Sequence, residues 1–111
     1  MNLTSDETSA PQMLEELIRQ AESVGASDLH LQMQGKSAQI SFRLDGVMTP
    51  PWKLSEDVAE RVFGRIKFLA RLKTYQDSLP QDGRIEKGEI GTRHDLRVAT
   101  YPTVTGEKIV I

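Results

Sequence analysis

The sequence predicts an α/β chain of the α+β kind: one small domain in which a mixed or antiparallel sheet carries two helices. Three observations lead there. Two stretches repeat apolar residues at helical spacing, the segments between and after them alternate apolar with polar residues, and 111 residues leave room for one modest core.

Residues 1–10 are polar and rich in Ser, Thr and acids, so they are expected to form a flexible leader, with the domain proper over 11–111. From Pro11 the pattern changes. Met13, Leu14, Leu17, Ile18, Ala21 and Val24 share one helical face, Pro11 suits the first turn, and Gly25 suits the left-handed position after the last one. Ser27 to Met33 then reads as a strand, with Leu29, Leu31 and Met33 on one side and Asp28, His30 and Gln32 on the other. Ile40, Phe42 and Leu44 alternate with Ser41 and Arg43, and Asp45-Gly46 is a hairpin turn before Val47. Pro50-Pro51 is expected to stop that strand, and Ser55 to cap the next helix.

That helix covers Glu56 to Lys73. Val58, Ala59, Val62, Phe63, Ile66, Leu69, Ala70 and Leu72 make a broad stripe that must pack on a sheet, and Asp57 stands four residues before Arg61. After Pro80, two alternating segments, Arg84–Ile90 and Arg93–Tyr101, are expected to pair through a tight connection at Gly88 and Gly91. Pro102 to Gly106 makes a further turn. Lys108-Ile109-Val110-Ile111 begins a strand whose apolar residues need a neighbour, and this end is expected to continue into more chain.

Composition excludes several functions. The net charge of -2 lacks the basic excess that a phosphate backbone attracts, so nucleic acid is not an expected partner. Without cysteine there is no disulfide framework, thiolate metal site or thiol nucleophile, which suits a reducing cytoplasm. No apolar run approaches the roughly 20 residues of a membrane helix. His30 and His94 lie far apart and outside any ligand-spaced cluster, so no metal site is expected. No glycine-rich elbow surrounds a Ser or Thr, and Gly-x-x-x-x-Gly-Lys-Ser/Thr occurs nowhere, so no catalytic residues are assigned and the chain by itself is not expected to be an enzyme.

The basic residues Arg61, Arg65, Lys67, Arg71 and Lys73 flank the apolar stripe on both sides and read as solvated edges of a packed helix. The later arginines differ. Arg84 follows a Gln-Asp-Gly turn, and Arg93, Asp95 and Arg97 are expected to project from one side of a strand, opposite His94, Leu96 and Val98. A guanidinium keeps its charge at any working pH and presents a fork of donors that fits phosphate oxygens. The competing reading is surface ion pairing with Asp82, Glu86, Asp95 or Glu89, which spacing alone favours.

Five motifs, taken in order, carry a family resemblance: Gly25-Ala26-Ser27-Asp28-Leu29-His30-Leu31; Phe42-Arg43-Leu44-Asp45-Gly46-Val47; Leu79-Pro80-Gln81-Asp82-Gly83-Arg84-Ile85; the stretch from Asp95-Leu96-Arg97-Val98 to Val104; and Gly106-Glu107-Lys108-Ile109-Val110. Together they resemble the ATPases of type II secretion and type IV pilus assembly, over residues 12–111. The match is to the PAS-like domain directly before the family's C-terminal P-loop ATPase domain, which this chain lacks.

The resemblance implies a domain that closes over the nucleotide site of a homohexamer and offers Arg84 and Arg97 to the phosphates. It implies ATP and Mg in the full-length protein and no cofactor bound by this chain alone. The implied partners are its own ATPase domain, neighbouring subunits and inner-membrane secretion or pilus platform proteins. The implied location is cytoplasmic, peripheral to the inner membrane. Gln32, Ser78 and the stretch Lys73-Thr74-Tyr75-Gln76-Asp77 depart from the family pattern, and secretion is not separated from pilus extension. The alternative is a stand-alone PAS-like sensory or protein-binding module with a ligand pocket inside the sheet.

Overall fold

A computed structural model describes residues 9–73, 79–104 and 106–111. The leader expected over 1–10 therefore falls largely outside the described residues, as do the departures at positions 74–78.

Helix α1 spans Ala10–Ser23. Its start is fixed by a reciprocal cap: the Gln12 N–H donates to Ser9 Oγ and the Ser9 N–H donates to Gln12 Oε1, each at 3.3 Å. Two helix-end donors that water would otherwise have to satisfy are thus bonded locally. At the other end Gly25 takes φ 72°, the left-handed geometry expected of it.

Strands β1 (Asp28–Gln34) and β2 (Ser37–Leu44) form an antiparallel hairpin. Asp45 and Gly46 both have positive φ, 50° and 82°, as a two-residue hairpin turn requires, and lead into β3 (Val47–Met48). That strand stops ahead of Pro50-Pro51 as expected, but the sheet edge resumes beyond them. Strand β4 (Trp52–Ser55), absent from the sequence reading, pairs with the other half of β2, with Leu54 opposite Ala38. Thr49 bridges the interruption, its N–H donating to the Phe42 carbonyl and its hydroxyl accepting the Phe42 N–H.

Ser55 occupies the cap position of α2 (Glu56–Leu69) without a side-chain capping bond. Arg61 reaches the backbone carbonyl of Asp57 at 3.2 Å rather than its carboxylate. Lys67 is no solvated edge: its ammonium lies 2.7 Å from Glu107, and both side chains are almost fully buried. The solvated-edge reading fails there because the helix turns position 67 inward.

The second half departs most from expectation. Strand β5 is Gln81–Ile85, and the residues expected to continue it form a helical turn, α3 (Lys87–Ile90), closed by Gly91 at φ 69°. Gly88 and Gly91 loosen the strand preference, and the chain uses them for a helical connection. Strand β6 consequently starts at Leu96, not Arg93, and runs through Pro102 to Thr103. Pairing with β5 stops at Thr100, so the missing N–H of Pro102 leaves no rung of that ladder empty. Strand β7 is Gly106–Val110.

The strands form one antiparallel sheet, ordered β3-β2-β1-β7-β6-β5, with β4 beside β3 on the outer edge of β2. Both long helices pack on one face. Leu14, Leu17, Val62 and Ile66 from the helices meet Leu31, Ile40, Val98 and Ile109 from the strands in a single core. Each such side chain stabilises the fold by roughly 1.5–3 kcal/mol through burial. The opposite face carries the alternate residues, Arg84 and Arg97 among them.

Candidate functional site

Ile85, Val98 and Thr100 are buried against the helices, so the strand alternation turns Arg84 and Arg97 to the uncovered face, where both are exposed. The register of β5 and β6 sets Arg84 directly opposite Arg97. Like charges in that relation disfavour the pairing by a few tenths to about 1 kcal/mol.

Three contacts hold β5 in place beneath them. The Lys73 N–H donates to Gln81 Oε1 at 2.9 Å, and Gln81 Nε2 donates back to the Lys73 carbonyl at 3.1 Å. Gly83 sits so close to the end of α2 that a Cβ there would lie 2.7 Å from the Ala70 carbonyl oxygen and 2.8 Å from Leu72 Cδ2. Only a residue without a side chain lets β5 approach that closely. The Gln-Asp-Gly-Arg run is therefore a seat: Gln81 fastens it, Gly83 lets it lie flat on the helix end, and Arg84 projects outward.

The surface-pairing alternative is partly realised. Arg84 Nε lies 3.8 Å from Asp95 Oδ2, while Glu89 pairs with Arg71 at 3.1 Å. Arg97 has no carboxylate within ion-pair distance among the described residues. Arg93 does not join the two. It precedes β6, and its backbone N–H donates to Glu22 at 3.3 Å. The direct opposition of the arginines was not readable from spacing, because it depends on how much chain α3 takes up between the strands.

Beside Arg97 lies a half-open cavity of about 500 Å³ between α1, β1 and the start of β6, lined by Ile18, Ala21, Leu96, Asp82 and Asp95 among others. His30 sits on the same face of the sheet as the arginines but is half-buried there. Neither ring nitrogen has a hydrogen-bond partner among the described residues, and its pKa is pushed below the ordinary imidazole value, first by burial and then by Lys108 and Arg43, with Asp28 opposing. The described residues contain no cluster of three or more potential metal-ligating side chains.

Comparison with known proteins gives a consistent result. The family model described as type II/IV secretion system protein matches residues 4–111. The chain is 37% identical over 107 residues to the protein transport protein HofB homolog of Haemophilus influenzae, covering 96% of this chain and 23% of that protein. It is 35% identical over 109 residues to the type IV pilus assembly ATPase PilB of Thermus thermophilus, covering 98% of this chain and 12% of that one. With the type II secretion system protein E of Pseudomonas aeruginosa it shares 34% identity over 112 residues, 99% of this chain and 22% of the relative. The chain thus spans less than a quarter of the length of each of these relatives.

Proposed function

The chain belongs to the type II/IV secretion system protein family, and from that membership we propose that it is the nucleotide-site-closing, force-coupling domain of a hexameric ATPase that powers type II secretion or type IV pilus assembly. In this reading ATP and magnesium are held by a P-loop domain elsewhere in the full-length protein. Arg84 and Arg97 reach the phosphates of that nucleotide. They bind and orient negative charge and stabilise what develops during phosphoryl transfer, taking no part in covalent chemistry.

The observation that supports this role is the cross-strand opposition of the two guanidinium groups. Two like charges placed face to face on a sheet are a standing cost, and an anion spanning both converts that cost into attraction. The seat formed by Gln81 and Gly83 supplies the rigidity such a contact needs. Closure of the domain over the nucleotide would then join hydrolysis to movement of the neighbouring subunits and, through them, of inner-membrane platform proteins on the cytoplasmic side.

The test is steady-state ATPase activity of the full-length protein, wild type against Arg84→Ala and Arg97→Ala, with folding and assembly of each confirmed. The expected loss is ten-fold or more in kcat for either, about 1.4 kcal/mol or greater in barrier. Lysine at either position should rescue only in part, since it has no planar fork to offer. Unchanged rates in both alanine variants remove the phosphate-contact role.

A further inference from the structure

Asp95 stands one residue ahead of β6 and is held from two sides. Its Oδ1 accepts the backbone N–H of Lys87, the first residue of α3, at 3.0 Å. That bond leaves Oδ2 directed across the hairpin at Arg84 Nε, 3.8 Å away. Such a distance is outside hydrogen-bond reach, so the carboxylate attracts the guanidinium without occupying one of its donors. Among the described residues it is the only carboxylate within ion-pair distance of either arginine of the opposed pair.

Building on the phosphate-contact role of Arg84 and Arg97, we infer that Asp95 is a resident counter-ion of the arginine pair and a specificity-determining residue: it balances Arg84 while no phosphate is bound and yields it to a polyphosphate. An exposed pair of this kind is worth at most about 1 kcal/mol. That is little enough for a highly charged anion spanning both arginines to override, and enough to disfavour a small anion that can reach only one. The side chains of Arg84 and Asp95 are 62% and 45% exposed, so an arriving ligand meets both. The fixed Lys87 contact keeps the carboxylate in place after the exchange, ready to take Arg84 back.

The experiment uses this chain itself, with its arginine Nε–Hε groups followed by nuclear magnetic resonance during titration with inorganic triphosphate and, separately, orthophosphate. The wild type is compared with Asp95→Asn, whose amide oxygen still accepts the Lys87 N–H, and with Asp82→Asn, which removes the same charge from β5 on the same face. Triphosphate is expected to shift both Arg84 and Arg97. Asp95→Asn should bind it about two- to five-fold more tightly and respond to orthophosphate at concentrations that leave the wild type unmoved, while Asp82→Asn stays near wild type. In the wild type the Asp95 carboxyl carbon signal should move in step with Arg84 as triphosphate saturates, a readout that needs no variant. Equal affinity in Asp95→Asn, an equal gain in Asp82→Asn, or a carboxyl signal that stays still overturns the counter-ion role and leaves the phosphate contact standing. Triphosphate that shifts neither arginine in any of the three proteins likewise overturns the counter-ion role, since nothing then takes Arg84 from Asp95, and the phosphate contact is judged by the ATPase rates of the full-length variants.

Discussion

His30 shows how a single side chain can tie stability to pH. Its imidazole lies on β1 between Ser41 of β2 and Val110 of β7, both ring nitrogens are shielded, and Lys108, Arg43 and Asp28 are the charges acting on it. Burial, the largest effect, and the two cations disfavour the charged form, outweighing Asp28, so the folded-state pKa lies below the unfolded one. The unfolded chain therefore takes up a proton first as pH falls. The histidine's contribution is intact above the unfolded imidazole pKa of about 6.5 and is lost progressively below it, down through the folded value. Urea midpoints at about pH 7.5 and about pH 5.5 should show a larger drop for the wild type than for His30→Gln, which cannot titrate. Identical drops would mean that His30 is solvated in both states.

At the scale of elements, α2 is bound to the sheet by more than its apolar stripe. The pair formed by Lys67 and Glu107 joins the helix to the start of β7 with side chains 4% and 11% exposed. Removing one partner leaves a charge with nowhere to go. Lys67→Met should cost about 3–5 kcal/mol, and the double variant Lys67→Met/Glu107→Leu should recover most of that, as judged from thermal or urea unfolding. Equal destabilisation by single and double variants would show that the charge is relieved by water. This pair marks the limit of what periodicity conveys. The helix pattern located α1 and α2 within a few residues, and Asp45-Gly46 announced its turn, because local chemistry decides those features. The inward turn of Lys67 was hidden, since its partner lies 40 positions away and only the fold brings them together. Likewise β4 was obscured by Pro50-Pro51, although Thr49 repairs the ladder before them, and α3 was read as strand because its four residues are too few to show a period. Arg84 and Arg97 could be picked out as candidates by residue type and motif. Their opposition could not, because register is a property of the pair of strands.

For the whole molecule, the strand order places β1 and β7 at the centre, each flanked on both sides, and leaves β3, β4 and β5 at the margins. Residue positions far apart in the chain thus become neighbours: Leu31 pairs with Ile109, and both are fully buried under the helices. Opening that pair requires the whole sheet to come apart, whereas α3 or β3 can open alone. Native-state hydrogen exchange should find the slowest amides in β1 and β7, exchanging only through global unfolding, and the fastest in β3 and α3. Comparable protection in β3 would mean that the edge is held by something other than its two rungs to β2. The one-sided placement of the helices has a further consequence, for how such a domain can change over time. Side chains under the helices are constrained by close packing, but among the described residues no helix covers the other face, so replacements of its exposed side chains leave the fold intact. A lineage can therefore revise what this face recognises, residue by residue, while inheriting the same foundation.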